Sequence, residues 1–372
     1  MAALQEELEE LTSRLRVSEE KLAASVDDCA ALQAQLNELG MKQGTLSWDM
    51  LMATDDSFPL KSFTGFSTKE KLSAFYNLLN HDNMCDRVML YRDSSSLDVS
   101  SAERDRRVGE SRGRDRRLSP RDGVALTLVM LRTGMTFKVT AALFGVSGQT
   151  ASRHFTTWLV LLEFFLSSEF PYPTVEQLKR VTPSSVQEAL GINMDGIHFE
   201  AFIDCHEQEC ETPTSKLAHK KVWSEYKHRT TFKFFGAIGG NGAFTFASTA
   251  YRGRLTDPVV TRLCGYMDLI HEHGATGADK GFDMIADFSS KKALLVIPPK
   301  AFAGQAFFTS DEMVDTANIA RSRIHVERAF KRAQEYKILH NKIPVTMFDI
   351  WGSIFRVCCF LTNFEAPLIQ DK

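Results

Sequence analysis

The chain has 372 residues, 44% of them hydrophobic, and a net charge of −3, an ordinary composition for a folded soluble protein with one sizeable core and accessory pieces. No apolar run approaches the roughly 20 residues that a membrane span needs, and Leu4 to Leu39 is interleaved with charge, unlike a secretory leader. Seven scattered cysteines argue against a disulfide framework and for a reducing compartment.

The charge is unevenly spread. Residues 1–40 hold nine acidic residues against Arg14, Arg16 and Lys21, a net −6, which leaves residues 41–372 at +3. The same segment carries heptads. Leu8, Leu15, Leu22, Cys29 and Leu36 form one seam, and Leu4, Leu11, Ser18, Ser25, Leu32 and Leu39 the other. Such a ladder over about five heptads predicts a coiled coil that pairs subunits into a homo-oligomer, against the alternative of a helix folded back on its own globule. Residues 41–93 read as a small helical region, with Thr68 to Leu79 amphipathic. Residues 94–119 are rich in Ser and Arg, with seven arginines between Arg104 and Arg117. They read as a solvated linker, either a plain connector or a DNA-backbone or nuclear-import patch.

Residues 120–166 have the cadence of a helix-turn-helix. One helix covers about Asp122 to Arg132, Thr136 caps a second through Leu143, Gly145 permits a tight turn, and Ser147 caps a third over Gln149 to Leu162. Ala141, Val146, Ala151, Phe155 and Trp158 would close a small core. Gln149, Thr150, Ser152, Arg153 and Thr156 would then face outward, as a major-groove helix requires. An ordinary tri-helical subdomain has the same pattern.

From residue 190 to 368 the period changes to strands and helices. His198 to Ile203 runs into Asp204, and Thr230 to Ile238 and Ala243 to Ala250 form two more strands joined at Gly239 to Gly242. Pro258 to His271 reads as a helix, a short strand reaches Asp279, and a helix covers Phe282 to Lys292. Leu294 to Ile297 is a buried-type strand, a long helix starts near Thr309 with Glu312 at capping-box spacing and runs to Tyr336, and a last helix spans Phe348 to Phe360. Three antiparallel strands followed by alternating helices and strands predict a ribonuclease-H-like α/β fold, a mixed sheet flanked by helices.

Three acids stand out on those elements. Two-metal phosphoryl-transfer sites need carboxylates that converge from separate elements, and an acid at such positions is costly unless something pairs with it. Asp204 would end the first strand, Asp279 would follow a neighbouring one, and Glu327 lies mid-helix between Arg323 and Lys331. Alone, Glu327 reads as a surface salt-bridge residue and Asp279 as part of a turn; the three together read as a ligand set for Mg²⁺ or Mn²⁺. A basic stretch, Lys220, Lys221, Lys227, His228, Arg229 and Lys233 beside Trp223 and Tyr226, suits phosphate contact, or is a solvated hairpin. Cys205, His206, Cys210 and His219 match no structural zinc spacing.

The strings Phe202-Ile203-Asp204-Cys205-His206-Glu207, Trp223-Ser224-Glu225-Tyr226-Lys227, Tyr251-Arg252-Gly253-Arg254-Leu255-Thr256-Asp257, Ala278-Asp279-Lys280-Gly281-Phe282, Ile297-Pro298-Pro299, Arg323-Ile324-His325-Val326-Glu327-Arg328 and Leu361-Thr362-Asn363-Phe364 follow one another in order. Over residues 120–368 the chain resembles the DDE-superfamily endonuclease transposases of the Harbinger/PIF type, in the branch with an attached helix-turn-helix. The resemblance implies that Asp204, Asp279 and Glu327 are the catalytic and metal-binding triad and that two divalent ions act in DNA strand cleavage and transfer. It implies double-stranded DNA, the terminal repeats of a transposable element, as partner and the nucleus as the place of action. Asp257 matches a recurrent acid of the family, an auxiliary ligand or a structural loop residue. The chain departs from the pattern before Asp279, where His273-Gly274-Ala275-Thr276-Gly277 replaces a strongly apolar strand. Two other functions share this reading: a domesticated DNA-binding protein without catalysis, and a ribonuclease on the same fold.

Overall fold

The computed structural model describes residues 16, 45–54, 59–90, 118–189, 196–224, 227–298 and 324–370. The expected coiled coil (Arg16 apart), most of the Arg/Ser-rich linker, and the start of the long helix at Thr309, with Arg323, lie outside the described residues.

Four short helices open the described chain: α1 (Trp48–Ala53), α2 (Leu60–Thr64), α3 (Lys69–Leu79) and α4 (Met84–Arg87). Thr68 caps α3 by accepting from the Lys71 N–H, and Leu72, Phe75, Tyr76 and Leu79 bury one stripe. The tri-helical segment follows. Helix α5 (Pro120–Thr133) starts with a capping box between Ser119 and Asp122 and stops at Gly134, whose φ of 68° is left-handed. Helix α6 (Phe137–Leu143) is capped by Thr136, and Gly145 turns the chain at φ 63°. Helix α7 (Gly148–Glu169), capped by Ser147, runs past the expected end at Leu162 because Phe165 and Leu166 carry its buried stripe onward. Two short helices, α8 (Val175–Val181) and α9 (Ser184–Ala189), lead to the sheet.

The sheet contains β1 (His198–Glu209), β2 (Trp223–Ser224, after helix α10, Lys216–Val222), β3 (Arg229–Ile238), β4 (Phe244–Ala247), β5 (Tyr251–Arg252), β6 (Gly274–Gly277) and β7 (Leu294–Val296). Its order is β2-β3-β1-β6-β7, with β4 and β5 also on β3. β1 pairs antiparallel with β3 and parallel with β6, and β6 is parallel to β7. Three expectations are corrected. β1 does not end at Asp204, because β3 keeps pairing with it as far as Glu209↔Thr231. The helix expected over Pro258 to His271 is only α11 (Asp257–Leu263), since Gly265 turns the chain at φ 85°. The helix expected over Phe282 to Lys292 shrinks to α12 (Ile285–Ser290).

Each face of the sheet has its own core. On one, Phe199, Phe202 and Phe234 pack with Val326, Ala329 and Phe330 of α13 (residues 324–334) and with Trp351 and Phe355 of α14 (Phe348–Leu361); this core is continuous with the buried faces of α3, α5 and α7. On the other, Ala201, Ile203 and Phe235 pack with Val260, Tyr266, Phe282 and Phe288. The stretch Val345–Phe364 is apolar and long enough to cross a membrane by composition, and most of it is buried in the first core. The weakly apolar strand before Asp279 forms because small residues, Gly274, Ala275 and Gly277, let β6 sit fully buried between β1 and β7.

The tri-helical segment is tied to the sheet layer by specific contacts. Arg132 pairs with Glu335 at 2.8 Å and lies over the Tyr336 ring, Asn341 Nδ2 donates to the Gly134 carbonyl, and Glu163 of α7 pairs with Arg356 of α14. Within the sheet layer, a Cβ on Gly236 would lie 2.8 Å from the Phe330 ring. Gly236→Val is therefore expected to destabilise the fold by about 1–3 kcal/mol through overpacking. Gly148→Ala, where a Cβ meets nothing within 4 Å, should stay within about 0.5 kcal/mol of the parent. Chemical denaturation of both variants measures the difference.

Candidate active site

Backbone pairing joins the strands that lead to the first two acids. Phe202 and Gly277 are partners in the parallel ladder, and the ladder's pairing ends there. Asp204 and Asp279 each lie two residues further on, Asp204 still within β1 and Asp279 in the turn that follows β6. The Ala278 N–H donates to Val296 O and the Phe282 N–H to Asp279 O, which fixes the turn after β6. Each carboxylate accepts from the next residue's N–H, Cys205 to Asp204 Oδ1 and Lys280 to Asp279 Oδ1, both at 2.7 Å. Both acids are half-buried.

Helix α13 supplies the third acid. Its His325 ring lies 6.3 Å from Phe202 and its Phe330 ring 5.8 Å from His206, the residues two before and two after Asp204 on the same strand face. Phe330 also fills the space left by Gly236, the cross-strand partner of Asp204. Glu327 sits between those two anchors and is exposed, as is Lys331. The three carboxylates do not all approach within 4.8 Å; among the described residues only His198, Glu200 and His271 meet that closely. An all-oxygen set drawn from a strand, a turn and a helix still suits hard divalent ions, which span separated carboxylates when two are bound.

A groove of about 730 Å³ opens along β1, lined by Cys205, His206, Glu207, Lys227, Lys233 and Arg254 among others; none of the three acids lines it, though Cys205 follows Asp204 directly. The basic stretch behaves unevenly there. Lys233 is not a solvated hairpin residue: its Nζ pairs with Asp257 Oδ1 at 2.7 Å and its side chain is only 12% exposed. Asp257, at the start of α11, is thereby paired with a cation, and this pair is not legible in the sequence because its members are 24 positions apart. Lys227 is exposed on the groove wall, and Arg229 is exposed and pairs with Glu209 at 3.2 Å. Tyr226 and the side chain of Lys221 lie outside the described residues.

On α7, Gln149 and Arg153 are exposed one turn apart, and Ser152 is half-buried. Thr150 is partly engaged at the cap, where its Oγ1 lies 2.9 Å from Ser147 Oγ.

Residues 203–363 match the family model for the DDE superfamily endonuclease, and residues 116–168 match that for the helix-turn-helix of DDE superfamily endonuclease. The chain carries a DDE endonuclease domain and its associated helix-turn-helix. No curated protein matches the chain, and no solved structure does. The mixed sheet with helices on both faces is the ribonuclease-H-like fold of that domain, and its matched span includes Asp204, Asp279 and Glu327.

His206 lies in the same wall, its ring beside those of Phe330 and Phe355, with its Nε2 shut off from solvent and without a hydrogen-bond partner among the described residues. Burial, helped by repulsion from His340, pushes its imidazole down to about 4 from 6.5. Between those values the unfolded endonuclease domain binds the extra proton, so this residue's contribution is complete above pH 6.5 and is lost as pH falls to about 4. Replacing His206 with Phe is expected to flatten the stability–pH curve over that window by roughly 3 kcal/mol, measured by urea denaturation of the metal-free protein across the range.

Proposed function

We propose that this chain is a transposase-type DNA endonuclease of the Harbinger/PIF kind, in which Asp204, Asp279 and Glu327 hold two divalent ions, Mg²⁺ or Mn²⁺. The observation that supports this reading is the parallel register at Phe202 and Gly277, each two residues before one of the acids, with α13 and its Glu327 crossing the same face of β1. Bound there, such ions supply charge neutralisation at a scissile phosphate and an activated water or 3′-hydroxyl. The carboxylates orient that chemistry from elements whose backbones are locked in a sheet and a packed helix, so little reorganisation is needed at the reacting phosphate. Lys227 and Arg229 contact the DNA backbone beside the groove, a salt-dependent and sequence-independent attraction.

The N-terminal half of α7 reads base edges in the major groove through Gln149, Thr150, Ser152 and Arg153. The contacts of Arg132, Asn341 and Glu163 hold the helix-turn-helix on the endonuclease layer. A duplex gripped by α7 is therefore held at a set offset from the acids. In the full protein the heptads of residues 1–40 pair subunits so that two terminal repeats are processed together, in the nucleus.

The test is cleavage of the cognate terminal repeat by the full chain with Mg²⁺. Asp204→Asn, Asp279→Asn and Glu327→Gln should each slow cutting by about a thousandfold, the several kcal/mol that such ions contribute, while duplex binding persists. Undiminished cutting by Asp204→Asn contradicts the assignment. Tight binding with no cutting by the wild-type chain supports instead a domesticated DNA-binding protein. For the reading helix, Arg153→Ala should cost about 1–3 kcal/mol of binding to the cognate duplex and relax discrimination between sequences, with its melting temperature unchanged; fluorescence anisotropy on cognate and scrambled duplexes measures both.

A further inference from the structure

Near the start of β1, four residues before Asp204, lies a second cluster of ligand-type side chains. Glu200 is fully buried, a costly place for a carboxylate. Its Oε2 lies 2.9 Å from His198 Nε2, and its Oε1 lies 3.0 Å from His271 Nδ1 and accepts from the Tyr172 hydroxyl at 2.7 Å. The His271 N–H also points at Oε1, at 3.3 Å. Burial pushes the Glu200 carboxyl up, but hydrogen bonds from His198 and Tyr172 and the neighbouring His271 imidazole outweigh it, and the group titrates below its usual range.

The backbone is built to present this carboxylate. The parallel register between β1 and β6 steps from Phe199↔Ala275 to Ala201↔Thr276, so Glu200 is the extra residue of a bulge. A bulge re-aims a side chain and is a designed feature rather than a defect. Opposite it, a Cβ on Gly274 would lie 2.3 Å from Glu200 Oε2, so only glycine leaves room for the carboxylate. His198 and Glu200 are two apart on one strand, and His271 comes from the loop before β6.

One ligand atom from each of His198, Glu200 and His271 lies within 4.8 Å of the other two. Ligand atoms on one tetrahedral zinc ion are about 3.3 Å apart. Two further groups mark the spot. Tyr266 Oη and Thr276 Oγ1 are buried and face each other beside Tyr172, and neither has a hydrogen bond of full geometry among the described residues. The Tyr266 ring packs edge-on to Tyr172 at 6.1 Å, and burial together with the Glu200 charge pushes its hydroxyl well up. Thr276 is the register partner of Ala201, next to Glu200. The two hydroxyls thus add polar groups at the edge of the two-imidazole, one-carboxylate set.

We propose that His198, Glu200 and His271 form a binding site for one zinc-type divalent transition ion, with Tyr172 as the outer partner that orients the carboxylate. Imidazole and carboxylate together select borderline metals over Mg²⁺, so this site takes a different ion class from an all-carboxylate centre. It lies four residues along β1 from Asp204, roughly 13 Å, and the inference does not rest on the nuclease reading. Its role is structural: the ion ties the starts of β1 and β6 to the Tyr172 segment that leaves α7.

The test is calorimetric titration of Zn²⁺ into the full chain, stripped by chelation and held in excess Mg²⁺. The wild type is expected to show one tight equivalent that disappears or weakens by at least about 100-fold in His271→Ala, and Zn²⁺ should raise the melting temperature of the wild type but not of that variant. His271 is partly exposed, its side chain 29% accessible, so its loss leaves the core packed, and His198→Ala should repeat the result. Co²⁺ in place of Zn²⁺ should give a visible four-coordinate d–d band that the same variants lose. Equal Zn²⁺ stoichiometry and affinity in wild type and His271→Ala, or no uptake by the folded wild type, overturns the proposal and leaves a pure hydrogen-bond network.

Discussion

The pairing of β1 on both of its edges governs the geometry of this molecule. On one edge β3 holds the strand straight from Phe202↔Ile238 to Glu209↔Thr231, and on the other the shorter parallel ladder with β6 stops at Phe202↔Gly277. Asp204 therefore lies in the middle of a rigid strand and also just beyond the end of a parallel ladder, where a neighbouring chain turns away and leaves space. Ligand sites in open α/β sheets gather beyond the carboxyl ends of parallel strands for the same reason. The one-residue bulge at Glu200 lets Phe199 and Phe202 face the same core, their rings 4.7 Å apart, before the strand reaches the acid.

The second constraint is the seat of α13. Phe330 packs where Gly236 lacks a side chain, and His325 and Phe330 bracket the Asp204 position. An acid on a surface helix is ordinarily free to drift with the helix, but here the helix cannot slide along the strand without driving a ring into the backbone. The same core extends without a break into α5 and α7. The helix-turn-helix thus shares its packing with the endonuclease layer, and a change in how α14 sits on the sheet is felt at α7 through Glu163 and Arg356.

Local features were legible in the sequence. Thr68, Ser119, Thr136 and Ser147 each act within three residues of their own position, so their caps could be read directly. The mixed sheet was legible from strand periods and the ordered family strings. What escaped was set by distant partners. The half of β1 beyond Asp204 reads as polar, His206, Glu207, Gln208 and Glu209, and only pairing with β3 makes it strand. Gly274 to Gly277 has no apolar signal, yet flanking strands on both sides bury it. Lys233 looked like one of several solvated cations until α11 brought Asp257 to it. The Glu200 cluster joins residues from before α8 to before β6, a closure no local pattern announces.

In the proposed centre Asp204 and Asp279 share metal ions because β1 and β6 are in register up to two residues before each acid. The most direct measurement is a crystal structure of the full chain on a terminal-repeat duplex soaked with Mn²⁺, read through the anomalous signal of the ion. Two peaks about 3.5–4 Å apart are expected, at least one touching both Asp204 and Asp279 and the other reached by Glu327. Peaks that miss Asp204, or a duplex-bound chain with no ion between the two strands, would contradict it.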